Sequence, residues 1–157
     1  MKIEPFDRRQ LDAIVQLSLR AWAPVFDSIE QMMDPNVYRL LHPDWRVSQS
    51  KAVEDACTAA DANAWVAQEG ESVVGFVTAK RHSPVLGEIY MIAVDPMHQR
   101  RGIGTGLAKY ALDWMKEAGI SVGMIDTGGD PGHAPARRTY ESMGFRVLPV
   151  ARYFKKL

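Results

Sequence analysis

The residues best suited to chemistry lie in a glycine-rich segment, Gln99-Arg100-Arg101-Gly102-Ile103-Gly104-Thr105-Gly106. Glycines let backbone N–H groups turn toward an anion, and a helix that begins inside the segment adds the positive end of its dipole. Arg100 and Arg101 can supply charge-assisted contacts at the rim. The segment therefore predicts a phosphate-binding cradle between an apolar strand and a helix.

The spacing of the glycines separates this cradle from two common phosphate-binding motifs. Counted from Gly102, both the P-loop and the dinucleotide-binding Gly-x-Gly-x-x-Gly motif require glycine at position 107, where this chain has Leu107. The pattern that fits is Gln/Arg-x-x-Gly-x-Gly/Ala, met by Gln99, Gly102 and Gly104. It resembles the acetyl-CoA-binding motif of the GNAT family of N-acetyltransferases. The alternative is a glycine-rich strand-to-helix turn that binds no ligand.

A second segment, His133 to Phe145, agrees with this resemblance. It predicts a short helix that carries Tyr140 and is followed by Gly144-Phe145, which is similar to the other hallmark of the family. Gly144 suits the left-handed position that ends a helix. The two motifs cover roughly the last half of the chain, whereas the first half matches the family only in its pattern of elements.

The composition is compatible with one domain over residues 1–157. The chain has 46% hydrophobic residues, and its formal net charge of +0 argues against a nucleic-acid-binding protein. Cys57 is the single cysteine, so no intramolecular disulfide forms, and its Ala-rich surroundings indicate a buried residue rather than a nucleophile. We see no membrane span or signal peptide, and we expect a cytoplasmic protein.

Hydrophobic periodicity predicts the element order β-α-α-α-β-β-β-α-β-α-β-β. That order resembles the family's fold, an α/β domain with a central mixed, mostly antiparallel sheet flanked by helices. Asp7 and Gln10 form the signature of a helix start, and Pro24 is expected to end or bend this first helix. The predicted strands are 1–5, 63–68, 72–80, 86–94, 121–126, 145–149 and 151–155. The later helices are predicted from 35, over 48–60, over 104–118 and around Tyr140.

The resemblance also implies how acetyl-CoA, the donor substrate, is held. Backbone amides from Arg100 to Thr105 would bind the pyrophosphate, and main-chain groups of Ile92 to Val94 would pair with the pantetheine arm like an added strand. The amide of Val94, or one beside it, would stabilise the oxyanion. The residues expected to contact acetyl-CoA are Ile92, Ala93, Val94, Gln99, Arg100, Arg101, Gly102, Ile103, Gly104, Thr105 and His133.

Tyr140 is the candidate general acid. By resemblance its hydroxyl lies near the cofactor sulfur, where a phenol with a pKa near 10 can protonate the departing thiolate. The alternative is a tyrosine that packs the last helix on the sheet, with its hydroxyl bound elsewhere.

Glu88 is the candidate general base. It lies fourteen residues before Gly102, which is the spacing of the catalytic glutamate in the histone-acetylating branch of the family. Strand alternation predicts that Glu88 shares a face with Tyr90, Ile92 and Val94. The alternatives are a solvated glutamate, or one that only attracts a cationic substrate. Asp126, at the end of the next strand, is the second candidate, placed across the cleft where the sheet is expected to splay.

His133 departs from the family pattern, which usually has asparagine there, contacting the pantetheine arm or orienting the tyrosine region. A histidine can donate or accept through either ring nitrogen and can titrate near neutral pH; the plain alternative is a helix-start residue with no catalytic part. The preceding loop, 127–132, is glycine-rich and is either a lid on the acceptor site or a flexible connection.

The sequence does not identify the acceptor amine, which could be a small molecule or an amine of a peptide or protein. Large apolar residues in the first helices could line a pocket, pack in the core or form a dimer contact, and nearby carboxylates could attract a cationic amine. A second function, an acetyl-CoA-binding sensor or partner-binding module without turnover, is kept beside the enzyme. The apolar set is Trp22, Phe26, Met32, Met33, Tyr38, His42 and Trp45, and the carboxylates are Asp27, Glu30, Asp34 and Asp44.

Overall fold

A five-stranded sheet organises the fold. The computed structural model describes residues 1–157, and its strands follow one another across the sheet in chain order. The first three pairings are antiparallel and the last, between the fourth and fifth strands, is parallel. The mixed, mostly antiparallel sheet that the family resemblance implied is thus confirmed. The strands are β1 (Lys2–Pro5), β2 (Asn63–Glu69), β3 (Ser72–Arg81), β4 (Leu86–Val94) and β5 (Val122–Ile125).

Five α-helices cover the sheet, and none of them is long and apolar enough to cross a membrane. The predicted capping box is confirmed, because Asp7 and Gln10 bond reciprocally at the start of the first helical turn. Asp34 and Asp44 cap the second and third helices. The helices are α1 (Leu11–Met32), α2 (Pro35–Leu41), α3 (Trp45–Thr58), α4 (Ile103–Glu117) and α5 (Ala134–Ser142).

Pro24 does not end the first helix, since α1 continues through it to Met32. A proline removes one backbone hydrogen bond from a helix interior. Contacts on both sides of it compensate: the Trp22 ring meets the edge of Phe76 at 6.2 Å, and the Phe26 ring stacks on Trp45 at 4.4 Å between centroids. Tertiary packing thus overrides a local helix-breaking signal.

Two apolar clusters bury the two faces of the sheet. On one face Leu107 and Ala111 of α4 pack against the sheet, and on the other Leu17 of α1 and Val53 of α3 pack against Phe76. Cys57 belongs to the second cluster, which confirms its predicted burial. Burial raises the pKa of its thiol to about 12, so the thiol stays protonated at neutral pH and is a poor nucleophile.

A bulge interrupts β4 at Tyr90. Ile89 pairs with Ala79 and Met91 pairs with the adjacent Thr78, which leaves Tyr90 as the additional residue. The parallel partner β5 pairs with Leu86–Ile89 only. From Tyr90 onward, the edge of β4 that points away from β3 has no partner strand. The expected separation of these two strands is therefore observed, and it leaves a slot between them.

The two C-terminal strands predicted over 145–149 and 151–155 are wrong. Residues 145–157 form no regular secondary structure, and Val147, Leu148, Val150 and Tyr153 are exposed. Their apolar side chains favour β structure, but a strand forms only when a neighbouring edge accepts its hydrogen bonds. Pro149 also removes one of the donors that such a pairing would need.

Leu107 is the side chain whose truncation should test the α4 face of the core. It is fully buried, and Leu107→Ala should lower the free energy of unfolding by about 2–5 kcal/mol because it leaves a cavity. Leu40→Ala is the matched control, since Leu40 is 66% exposed, and it should change stability by less than about 0.5 kcal/mol. Urea denaturation followed by circular dichroism measures both; equal effects would contradict the described core.

Candidate active site

The glycine-rich segment forms a cradle of free amides at the start of α4. Arg100 (φ 60°) and Gly102 (φ 79°) both adopt the left-handed conformation, and Gly102 is the N-cap residue of α4. The first intrahelical bond runs from the Gly106 amide to the Gly102 carbonyl, and no side chain caps the helix. The amides of residues 103–105 therefore precede the intrahelical ladder and are available to an anion.

Side-chain bonds hold the cradle against the sheet. The Gln99 amide nitrogen donates to the Val94 carbonyl at 3.1 Å, and the Arg101 guanidinium bonds Glu69 at the end of β2 at 2.9 Å. Arg100 is exposed and makes no ion pair within the structure. The two arginines thus differ: Arg101 braces the cradle, and Arg100 is the one free to meet a phosphate.

An ion pair between the buried Asp95 and the half-exposed Arg20, which sequence reasoning missed, lies behind the cradle. Asp95 accepts a hydrogen bond from the Met97 amide and pairs with Arg20 of α1. Burial acts to raise the pKa of Asp95, but the Arg20 and Met97 hydrogen bonds outweigh it and hold the pKa below its usual value. Asp95-Pro96 is a typical cap sequence and signalled the turn, but nothing local signalled Arg20, which is distant in sequence.

The slot beside β4 begins where the cradle ends. Ile92 and Val94 point to the α4 face, since both pack against the α4 cluster, while Ala93 belongs to the cluster on the α1 face. Their main-chain edge toward β5 has no partner strand. An extended ligand whose phosphates lie in the cradle could add to this edge as a strand. The structure therefore brings the predicted pantetheine residues and the predicted phosphate residues into one continuous path.

Glu88 does not share a strand face with Ile92 and Val94, so that expectation is wrong. Ile89 packs on the α4 face together with Ile92 and Val94, although it lies three positions before Ile92. Simple alternation would put residues three positions apart on opposite faces, but Tyr90 is inserted in the bulge. Glu88, adjacent to Ile89, points to the opposite face, where α1 lies. Simple alternation fails because the bulge shifts the period by one residue.

Glu88 instead belongs to a polar group on the α1 face. Its Oε2 atom lies 2.5 Å from His82 Nε2, and its cross-strand partner is Lys80. The Lys80 ammonium lies 3.1 Å from the centroid of the Tyr90 ring. Asp126, the second candidate base, is exposed directly after β5.

Tyr140 lies on α5, and its ring meets that of Phe145 in an edge-to-face arrangement with 6.1 Å between the centroids. Burial is the one cause that acts on its phenol, and it raises the pKa to about 12. The Tyr140 hydroxyl forms no hydrogen bond with another residue. The alternative arrangement, in which the hydroxyl is bound elsewhere, is therefore not observed. The group is protonated at neutral pH, as a general acid must be.

The loop 127–132 is hydrogen-bonded to α1 on one side and to α5 on the other. Ser28 of α1 donates to Asp130 Oδ2 at 2.7 Å, and Arg137 of α5 donates to the carbonyls of Gly128 and Asp130 at 2.6 and 2.8 Å. His133 Nδ1 bonds Asp130 Oδ1. The loop is thus a braced connection between α1 and α5 rather than a flexible one.

The aromatic residues of the first helices pack mainly on one another. Phe26 contacts His42 and stacks on Trp45, Tyr38 contacts His42, and the Arg46 guanidinium lies 4.4 Å from the Trp45 ring. Burial and the carboxylates of α1 raise the pKa of the Tyr38 phenol. Asp34 and Asp44 are occupied as helix caps, which leaves Asp27 and Glu30 as exposed carboxylates on α1.

Residues 30–145 match the family model described as the acetyltransferase (GNAT) family. The chain belongs to this family. It is 30% identical over 151 residues to a mycothiol acetyltransferase of Corynebacterium glutamicum, an alignment that covers 92% of this chain and 51% of that protein. The chain therefore spans about half the length of the curated relatives it matches.

Two solved structures share the fold. An aminoglycoside 6'-N-acetyltransferase from Acinetobacter haemolyticus is 20% identical with a TM-score of 0.70, and the match covers 100% of this chain and 99% of that one. An aminoglycoside N-acetyltransferase in complex with CoA is 17% identical with a TM-score of 0.69, covering 99% and 93%. The fold and family inferred from the two sequence motifs are thus confirmed.

Gly102 and Gly104 form a matched pair for testing the cradle. A Cβ at Gly102 meets open space, but its φ of 79° strains any other residue; a Cβ at Gly104 meets only Val94 Cγ2 at 3.6 Å. Gly102→Ala should weaken acetyl-CoA binding by about 5–30-fold, from about 1–2 kcal/mol of backbone strain. Gly104→Ala should bind as wild type does. Isothermal calorimetry measures both, and equal affinities would contradict the cradle geometry.

Proposed function

We propose that this chain is an acetyl-CoA-dependent N-acetyltransferase that moves the acetyl group to a cationic primary amine by direct transfer in a ternary complex. The observation that carries the proposal is the continuous path from the free amides of α4, along the unpaired edge of β4, to the bulge at Tyr90. Donor binding needs such a path, because it holds the pyrophosphate at one end and exposes the thioester at the other.

Groups of this chain account for the binding of acetyl-CoA and for the stabilisation of the oxyanion. Amides of residues 103–105 and the Arg100 guanidinium bind the pyrophosphate, and the main chain of Ile92–Val94 pairs with the pantetheine arm. The Val94 amide, or one beside it, donates to the oxygen of the thioester as it becomes an oxyanion. A donor of this kind contributes roughly 3 kcal/mol in other acyl-transfer enzymes.

Tyr140 completes the transfer on the donor side. As the neutral amine nitrogen forms its bond to the acetyl carbon, it loses one of its two remaining protons to solvent and becomes the amide nitrogen. The C–S bond breaks, and the sulfur leaves with the bonding electrons. The Tyr140 phenol, which burial keeps protonated, gives its proton to that sulfur and regains one from solvent. Cys57 takes no part, since it is buried and protonated in the other face of the fold.

The acceptor binds on the α1 side of the sheet. Glu88, two residues before the bulge, and the exposed Asp27 and Glu30 of α1 provide negative charge for an ammonium group. Relatives are named for mycothiol and for aminoglycosides, and one solved neighbour holds a bisubstrate analogue of CoA and acetylneamine. We therefore propose a small-molecule amine, with amino sugars as the first class to test. The cytoplasmic setting, one domain over residues 1–157 and a homodimer stay predictions.

A thiol-release screen tests the proposal. The purified chain is mixed with acetyl-CoA and a panel of aminoglycosides, amino acids, polyamines and peptides, and free CoA is measured with a thiol reagent. We expect release above the rate of hydrolysis with at least one amine class, together with acetylation of that amine by mass spectrometry. Binding of acetyl-CoA without release from any amine favours the sensor function instead.

Tyr140→Phe should lower kcat by about 10²-fold or more, because the thiolate then leaves without a proton donor. Acetyl-CoA affinity should stay within about twofold, since the phenol ring is retained. Tyr110→Phe is the control: Tyr110 lies on α4 beside Trp65, away from the slot, and its variant should turn over like wild type. Unchanged turnover in Tyr140→Phe would exclude Tyr140 as the acid.

A further inference from the structure

His133 is held by bonds that come from three elements. Its Nδ1 atom bonds Asp130 Oδ1, while the second oxygen of Asp130 accepts from the Ser28 hydroxyl of α1 at 2.7 Å and from the Gly132 amide at 3.0 Å. The Arg137 guanidinium of α5 holds the Asp130 carbonyl at 2.8 Å. Both side chains are largely buried, with 19% of His133 and 11% of Asp130 exposed. The orientation of the imidazole is thus strongly determined.

The backbone at Gly128 lies close against one side of the His133 ring. A Cβ at Gly128 would lie 2.5 Å from His133 Nδ1 and 2.9 Å from Cε1, so this position accommodates only glycine while the ring is in place. A Cβ at Gly132 would lie 2.7 Å from the Cβ of Ser28. These two glycines of the loop therefore have a packing role, which is to seat the His133–Asp130 pair against α1.

The pair leaves one ring nitrogen available as a base. Burial acts to raise the pKa of Asp130, but the hydrogen bonds from Ser28 and His133 outweigh it and lower the pKa, so Asp130 is a carboxylate at neutral pH. A carboxylate can only accept, so His133 Nδ1 carries a proton and donates it to Asp130. In the neutral imidazole the lone pair is then on Nε2, for which the structure provides no hydrogen-bond partner.

The helix that begins after His133 connects the two sides of the slot. The turn Pro131–His133 contacts α1, on the acceptor side, whereas Met143 and Phe145, past the other end of α5, pack against the α4 cluster on the donor side. His133 is the N-cap residue of α5, and Tyr140 lies seven residues later, about 10 Å further along the helix axis. His133 thus lies at the end of the helix that contacts α1, and Tyr140 lies nearer the end that packs against the α4 cluster.

We propose that His133, oriented by Asp130, is the general base that deprotonates the acceptor ammonium, a role that rests on the proposed function. The proton moves from the acceptor nitrogen to His133 Nε2, directly or through one water, and Asp130 stabilises the resulting imidazolium. The neutral amine then attacks the thioester, and the imidazolium later releases its proton to solvent. Tyr140 supplies a separate proton to the sulfur, so the two proton transfers do not share one group.

Glu88 has a different part in this arrangement. It points to the α1 face and bonds His82, so it attracts the ammonium without receiving its proton. Among charged groups on the neighbouring helices, Arg137 of α5 bonds the loop that carries the pair, and Asp27 and Glu30 lie within one turn of Ser28 on α1. Arg137 bonds main-chain carbonyls only, and therefore leaves the Asp130 carboxylate to the histidine.

The decisive substitution is His133→Asn, which keeps a hydrogen bond to Asp130 and removes the base. We expect kcat to fall by about 10²-fold or more, with loss of the low-pH inflection of the kcat/KM profile. Acetyl-CoA affinity by calorimetry should stay within about twofold, which shows an intact fold. Turnover within about twofold of wild type, or an unchanged inflection, would overturn the assignment.

Two further variants separate a chemical role from a structural one. Asp130→Asn should lower kcat in the same direction as His133→Asn, because the imidazole loses the carboxylate that orients it and stabilises the imidazolium, and this test stands even if His133→Asn binds acetyl-CoA poorly. Glu88→Gln should raise KM for the amine and leave the inflection in place. If Glu88→Gln removes the inflection and the Asp130 variant turns over like wild type, Glu88 is the base and the inference is wrong. A wild-type chain that releases no CoA with any amine removes the proposed function and this inference together.

Discussion

The bulge at Tyr90 is the constraint on which the rest of the site depends. A regular β4 would pair with β5 along its whole length and leave no main-chain edge for a ligand. The additional residue ends that pairing at Ile89, separates the strands, and turns Ile92 and Val94 to the α4 face. The same insertion sends Glu88 to the opposite face. One residue therefore creates the slot and divides the donor side from the acceptor side.

Side-chain bonds to the sheet and to α1, and not glycine alone, hold the cradle in place beside the slot. The left-handed conformation of Arg100 is uncommon for a residue with a side chain, and such strain persists where surrounding contacts determine it. Here Gln99 is bonded to the end of β4, Arg101 to the end of β2, and Asp95 to α1. Ile103, which is 2% exposed, anchors the first residue of α4 in the core. The free amides are consequently held in place before any ligand arrives.

The sequence predicted those structural features that are determined by residues close together in the chain. The capping box at Asp7, the strand Leu86–Val94 and the glycine-rich start of α4 each depend on neighbouring residues, and each is observed. The sequence did not predict those features that depend on contacts between residues far apart in the chain. The bulge depends on the register between β3 and β4, the helix through Pro24 depends on aromatic packing, and strands in residues 145–157 would need a partner edge. The bracing of His133 by Ser28 joins residues that are 105 positions apart in sequence, and no local pattern indicates it.

The central claim is that the unpaired edge of β4 binds the donor. Hydrogen–deuterium exchange of the β4 amides, with and without acetyl-CoA, tests it most directly. Amides of residues 90–94 that do not bond β3 should exchange quickly in the free chain and slowly in the complex, while those of Leu86–Ile89, already paired on both sides, should change little. Equal protection along the whole strand in the free chain, or no added protection at 90–94 with saturating acetyl-CoA, would contradict the account.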